Sequence, residues 1–175
     1  FTDPKPTTMR AVNIHEVLNH VSEVAKAGFA SDIPIKAYFD PSLPELSGDF
    51  DRLVQVFLNL LKNAAEAMKD QAEPEIKVTT AYRSGFWVGG EGENRKKLPF
   101  EISVADTGGG IAPDLIEHIF DPFVTGKEGG TGLGLALCAH YIADMDGAIE
   151  CKNGEEGAVF HIRLPALDAT AKEVT

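Results

Sequence analysis

The sequence predicts an α/β two-layer sandwich, with a mixed sheet of about five strands packed against three main helices. Three observations predict it. Two long segments, 13–28 and 49–68, repeat apolar residues at three- and four-residue steps, and a third helical segment opens at Thr131. Short segments between them read as strands bounded by Gly and Pro. Their order mixes strands and helices without strict strand–helix–strand alternation, which favours helices on one face of a sheet over a doubly wound fold.

Residues 1–12 hold two Pro and few apolar side chains, and read as a linker or the end of a preceding element. From Asn13 the stripe Ile14, Val17, Leu18, Val21, Val24 and Ala25 predicts a helix, stopped by Gly28. Ile33 to Phe39 reads as a short strand, and Pro41, Pro44 and Gly48 as a loop. Asp49 is a good N-cap for a helix running to about Met68, whose stripe is Leu53, Phe57, Leu60, Leu61, Ala64 and Met68. Glu75–Tyr82 reads as a strand, 83–99 as a hairpin tip or surface loop, and Phe100–Ala105 as a strand ending at Asp106. A short helix is expected near Pro113–His118, then a loop after Phe123 and a long helix over Thr131–Met145 with Gly147 as its stop. Ala148–Lys152 and Ala158–Leu164 read as strands joined by a turn, and the small, polar segment 166–175 reads as a frayed tail. The segment 13–165 is thus expected to form one domain.

Composition narrows the function. The 175 residues carry 16 Lys and Arg against 27 Asp and Glu, a formal charge of -11. Such a chain is repelled by phosphate backbones, which argues against broad nucleic-acid or anionic-membrane binding. A polyanion could bind only where a metal or a local dipole offsets that repulsion. Cys138 and Cys151 have no CxxC spacing, so a reduced, cytoplasmic setting is the simpler expectation. No apolar run approaches the ~20 residues that cross a bilayer. No signal peptide is visible and no initiator Met is present, so the chain reads as a piece of a longer protein.

Three features carry chemistry. Gln55, Asn59 and Asn63 recur every four residues within an apolar helix, so they share a face. Asn lowers helix propensity by roughly 0.6 kcal/mol against Ala, so two of them work against the helix unless they serve a cavity; a polar stripe facing solvent is the competing reading. Asp106-Thr107-Gly108-Gly109-Gly110-Ile111 follows a strand, where a carboxylate can accept from an exocyclic amine and glycines admit a flat ligand; a tight turn is the alternative. Gly129-Gly130-Thr131-Gly132-Leu133-Gly134-Leu135 opens a helix, where free N–H groups and the helix dipole favour an anion; a hinge is the alternative. Other motifs fail. Gly126-Lys127-Glu128 lacks the Ser/Thr of a P-loop, and His15 and His20 are five apart rather than the four of a zinc HExxH.

Together these stretches resemble the catalytic, ATP-binding domain of sensor histidine kinases, in the wider family of Hsp90, type II topoisomerases and MutL. Asn59-Leu60-Leu61-Lys62-Asn63-Ala64 is similar to the N box, Asp106–Ile111 to the first glycine box, Phe120-Asp121-Pro122-Phe123 to the F box, and Gly130–Leu135 to the second glycine box. Val12-Asn13-Ile14-His15, Asn63-Ala64-Ala65-Glu66-Ala67, the short 120–130 lid and the Gly-rich insertion 83–99 resemble the nitrogen-regulation (NtrB) type.

The resemblance implies a histidine kinase/Hsp90-like ATPase fold with ATP and Mg²⁺ as cofactors. Asn59 and Asn63 are the implied catalytic pair: Asn63 holds Mg²⁺ against the phosphates and Asn59 supports the metal's water shell. Asp106 accepts from the adenine amino group, with Gly108, Gly110 and Ile111 beside the base. Lys62 or Lys127 meets the phosphates. Phe123, Thr125 and Lys127 belong to the lid, and Gly130, Thr131, Gly132, Leu133 and Gly134 present the phosphate-facing turn. The implied partners are ATP or ADP, a dimerisation and histidine-phosphotransfer domain, an NtrC-like response regulator and a PII-type signalling protein.

The sequence also departs from the family's pattern. Glu66 stands where many relatives carry a basic residue, and Thr125-Gly126-Lys127 where two threonines often precede the Lys. The phosphoacceptor box is absent: His15-Glu16 continues Val-Leu-Asn. Phosphoryl donation to a separate helical domain, without autophosphorylation of this chain alone, is therefore the expectation. A hydrolytic module of the Hsp90/MutL kind is the alternative, against which stands Asn59 in place of a general-base Glu. A second alternative is a docking domain using Trp87 and Arg95-Lys96-Lys97.

Overall fold

The computed structural model describes residues 5–85, 87–89, 96–125 and 132–167, with the backbone alone at 87 and 88. Its centre is a five-stranded mixed sheet. In chain order the elements are β1 (Arg10–Val12), α1 (Ile14–Ala27), β2 (Ile35–Tyr38), β3 (Leu46–Gly48), α2 (Phe50–Ala67), β4 (Ile76–Tyr82), β5 (Trp87–Val88) and β6 (Lys96–Lys97). There follow β7 (Phe100–Ala105), α3 (Pro113–Ile116), α4 (Gly134–Asp144), β8 (Ala148–Asn153) and β9 (Ala158–Leu164). The sheet runs β2-β4-β7-β9-β8, with β2 parallel to β4 and every other pairing antiparallel. The expected two-layer sandwich is the observed one.

Alternation explains which face is covered. Ile76, Val78 and Thr80 on β4, Phe100, Ile102 and Val104 on β7, and Phe160, Ile162 and Leu164 on β9 are buried. They meet Leu53, Val56, Phe57, Leu60 and Leu61 of α2, which lies between α1 and α4. Residues one register step away carry charge on the opposite face, where Arg163 Nη1 donates to Glu150 Oε1 at 2.6 Å and Ser103 Oγ lies 3.0 Å from His161 Nδ1. A one-residue slip would exchange these two sets.

Several boundaries follow the local chemistry. The Asn13 side chain accepts from His15 N, capping α1, and Gly28 ends it. Val24 is 42% exposed, although the spacing groups it with the core. At 3.6 residues per turn it sits about 80° from the centre of the Ile14–Ala25 stripe, on its rim. Residues 10–12, expected as linker, form β1 and pair with β3 inside the expected 41–48 loop. That pairing buries Val12 and Leu46. α4 begins at Gly134 rather than Thr131, because Gly132 holds φ 70 and cannot start a right-handed helix. Its stop is Asp146 at φ 58, with Asp146 N donating to Ala143 O and Gly147 N to Ile142 O, so Gly147 closes the cap without taking the left-handed position itself. β5 and β6 form the expected hairpin, while Arg95 lies outside the described residues. Among the described residues no helix is long and apolar enough to cross a membrane.

Asp49 locks the N-terminal strap to α2. Its Oδ1 accepts from Arg52 N at 3.2 Å and its Oδ2 from Thr8 N at 2.8 Å, in a buried position. Asp49→Ala removes the cap and leaves the Thr8 amide unmatched, and is expected to cost about 1–2 kcal/mol. Urea unfolding measures this directly.

Candidate functional site

A cleft of about 740 Å³ opens between α2, the start of α4 and the loop that leaves β7. Helical period brings Asn59, Lys62 and Asn63 of α2 to it, with Glu66 one turn further on. Gln55 is exposed and does not line the cleft. Asn59 is tied across it, its Nδ2 donating to Gly134 O at 3.4 Å. Asn63, Glu66, Thr125 and Leu133 also have partners. Asp106, Gly108, Gly110 and Ile111 form the opposite wall, and Thr125, Gly132 and Gly134 the end nearest α4. Ile119, Leu115 and Phe160 supply an apolar floor. The size and the mix of apolar floor with a few convergent polar groups suit a small organic ligand.

Asp106 is the most constrained polar group here, at 7% exposure. Its Oδ1 accepts from Gly108 N at 2.9 Å and from Ala158 N at 3.2 Å. Burial pushes its carboxyl above the ordinary Asp value, and those two amides pull partly back. The folded chain therefore holds this proton more tightly than the unfolded chain. The resulting stabilisation is full below the ordinary carboxylate range and is lost as pH rises through the raised value. The thiols of Cys138 and Cys151 are pushed up to about 12 by burial, so neither offers a thiolate near neutrality. A smaller cavity of about 220 Å³ reaches Asp106 from the charged face of the sheet, rimmed by Glu75, Glu155 and Glu156. Those three carboxylates outnumber the Lys77 ammonium that also lines it and disfavour an anion there, which makes the larger cleft the candidate site.

Two of the expected contact residues stand apart. Phe123 is 75% exposed with φ 68, and its amide donates to Gly132 O at 3.0 Å. It pinches the base of the lid through its backbone while its ring faces solvent. Phe120 instead packs edge-on against Phe160, with ring centroids 6.1 Å apart. Leu133 precedes α4 as its N-cap residue and is not among the lining side chains. Lys127, Gly130 and Thr131 lie outside the described residues. The spacing of Gly132 to the lid is tight: a Cβ there would lie 2.4 Å from the Phe123 carbonyl carbon.

The sequence reading missed the β8–β9 turn as part of the site. Ala158 supplies the second amide to Asp106, Gly109 N donates to Glu156 O at 3.0 Å, and Asn153 bonds the Ile111 peptide. No local signal marks these residues, because their partners lie far away in the chain.

A mixed sheet under three helices, with two amides on one helix facing a carboxylate beyond a strand, places the chain in the class of two-layer α/β domains with a polar cleft, and residues 48–168 match the family of histidine kinase-, DNA gyrase B- and HSP90-like ATPases, to which the chain belongs. Within that class, the sensory histidine kinase/phosphatase NtrB of Rhizobium meliloti (strain 1021) is 48% identical over 174 residues, covering 99% of this chain and 46% of that protein. The chain thus spans about half the length of the curated relatives it matches. Full-length ShkA in complex with AMPPNP superposes with a TM-score of 0.74 at 30% identity, over 95% of this chain and 33% of that one. The catalytic domain of histidine kinase ThkA, in a nucleotide-free form, superposes at 0.72 with 28% identity, over 91% of this chain and 98% of that one.

Proposed function

We propose that this chain is the ATP-binding half of a nitrogen-regulation sensor histidine kinase. It presents the γ-phosphoryl of ATP to a histidine on a dimerisation and phosphotransfer domain of the same parent protein. The carrying observation is that Asn59, Asn63 and Asp106 line one cleft.

The cleft's chemistry fits Mg-ATP. Mg²⁺ prefers a few hard oxygen ligands and keeps the rest of its shell as water and phosphate oxygen. The Asn63 amide oxygen would be its protein ligand, with Asn59 orienting the water shell. When bound, the metal neutralises phosphate charge on a chain of formal charge -11. The Lys62 ammonium adds positive charge at the same end. The amides at Gly132 and Gly134 face the phosphates at the start of α4, where the helix dipole favours anions. Thr125 lines the same end of the cleft, and Lys127, Gly130 and Thr131, outside the described residues, are the further contacts the reading assigns to ATP.

At the other end Asp106 Oδ1 is occupied by two backbone amides, which directs Oδ2 to the adenine amino group. Gly108, Gly110 and Ile111 flank the base. Phosphoryl transfer is chiefly positioning and charge stabilisation, so this half needs no general base of its own. Asn59 cannot serve as one, which disfavours a hydrolytic module. Both cysteines are free thiols, which together with ATP as substrate supports a cytoplasmic site of action. Through the parent protein, the partners are an NtrC-like response regulator and a PII-type signalling protein.

Calorimetric titration with ATP and ADP, with and without Mg²⁺, tests the reading. Binding is expected only with the metal for ATP, and Asp106→Asn, which turns an amide donor toward the adenine donor, weakens it by about 10- to 50-fold. The adenine donor favours the carboxylate form, so affinity should fall as pH drops through the raised Asp106 value, earlier than for an exposed Asp. Metal-independent binding unaffected by Asp106→Asn would sink the proposal.

A further inference from the structure

We infer that Asn153 is a positioning residue for the nucleotide base: its carboxamide clasps the backbone N–H and C=O of Ile111 and holds the glycine loop at its working distance from Asp106. The inference rests on the reading of the cleft as a nucleotide site. Gly109 and Gly110 both hold φ 87, so the loop leaves β7 in a conformation that no regular ladder supports. Its far end is fixed by a side chain instead. Ile111 N donates to Asn153 Oδ1 at 2.8 Å, and Asn153 Nδ2 donates to Ile111 O at 2.8 Å. A single bond would let the loop swivel; bonds to both peptide groups that flank Ile111 prevent it. The approach is close, since a Cβ on Gly110 would lie 2.7 Å from Asn153 Oδ1.

The same rung of the hairpin holds two points on the wall proposed to meet the base. Asn153 is the last residue of β8 and pairs with Ala158 on β9. Ala158 N fixes Asp106 Oδ1, while the Asn153 side chain fixes Ile111. The gap between the carboxylate and Ile111 is thereby set by one pair of β residues. Asn153 itself is exposed and outside the apolar core, so it shapes the site without supporting the fold.

The test uses Asn153→Ala and Asn153→Asp in the full 175-residue chain. The Asp variant keeps the acceptor for Ile111 N but sets oxygen against Ile111 O. Two probes are compared in the presence of Mg²⁺: ADP, titrated directly, and inorganic tripolyphosphate, read by displacement of ADP at millimolar concentration. Both variants are expected to weaken ADP by about five- to tenfold, the scale of losing exposed hydrogen bonds that order a loop. Tripolyphosphate, which has no base, should bind each variant as it binds the parent chain, and the melting temperature should move by less than ~2 °C. Unchanged ADP affinity overturns the inference, and so does an equal loss for both probes or a large drop in melting temperature. Failure of the parent chain to bind ADP at all is a different result, and it removes the nucleotide reading itself.

Discussion

Asn63→Ala is expected to abolish Mg²⁺-dependent nucleotide binding, with affinity lower by at least about 100-fold, because loss of a metal ligand exceeds the 10- to 100-fold typical of losing a group that merely orients one. The argument begins with charge. At a formal charge of -11 the chain repels a triphosphate unless a cation intervenes. Among the described residues the cleft offers one exposed lysine, Lys62, from α2, and Glu66 sits beside it. Most of the neutralisation must come with the metal, and Asn63 is the side chain proposed to hold it.

The same substitution removes an intrinsically poor helix residue, and propensity alone favours Ala by roughly 0.6 kcal/mol. Losing the partner that Asn63 now has offsets that gain, so stability to urea should move by no more than about 1 kcal/mol while binding disappears. A large loss of binding beside a small change in stability identifies a residue kept for the ligand. If calorimetry finds the Mg²⁺ dependence intact in the variant, Asn63 is a helix-surface amide and the metal is held elsewhere.

The conflict between helix propensity and the amides of α2 is also why residues of the candidate cleft stand out in the sequence. Amides at 59 and 63 inside an apolar run, and Gly134 in the first turn of α4, contradict the propensities of the helices that carry them, and Gly108, Gly109, Gly110 and Gly132 cluster beside them. α2 was equally plain, because its period and its Asp49 cap are local properties. What could not be read is nonlocal. β1 and β3 have three residues each and acquire meaning only from each other. Phe123 carries an apolar side chain, which suggests packing, yet its left-handed backbone and the bond to Gly132 O turn the ring outward. Asn153 looks like any turn residue until the Ile111 peptide is placed beside it.

Gly157 is the sharpest such case, and Gly157→Ala is expected to cost about 3 kcal/mol or more, at the upper end of overpacking effects. As sequence it belongs to a turn between two strands, beside Gly154, and flexibility is explanation enough. In the structure a Cβ at 157 would lie 2.3 Å from Asp106 Oδ1, 2.4 Å from Asp106 O and 2.8 Å from Gly108 N. Two of these neighbours are backbone and cannot swing aside. The third could rotate only by giving up its bonds to Gly108 N and Ala158 N, in a buried place where lost partners are costly. The hairpin must move off β7, and the carboxylate proposed to read adenine moves with it, so urea stability and ADP binding should fall together. Gly154 supplies the control within the same turn. A Cβ there would meet Val159 Cγ2 at 3.0 Å, an adjustable side-chain contact, and Gly157 O at 3.5 Å. Gly154→Ala should therefore cost less than ~1 kcal/mol and leave binding unchanged. Equal effects from the two substitutions would mean that the turn needs glycine for flexibility. Unequal effects mean that Gly157 is absent of a side chain because the Asp106 carboxylate occupies that space.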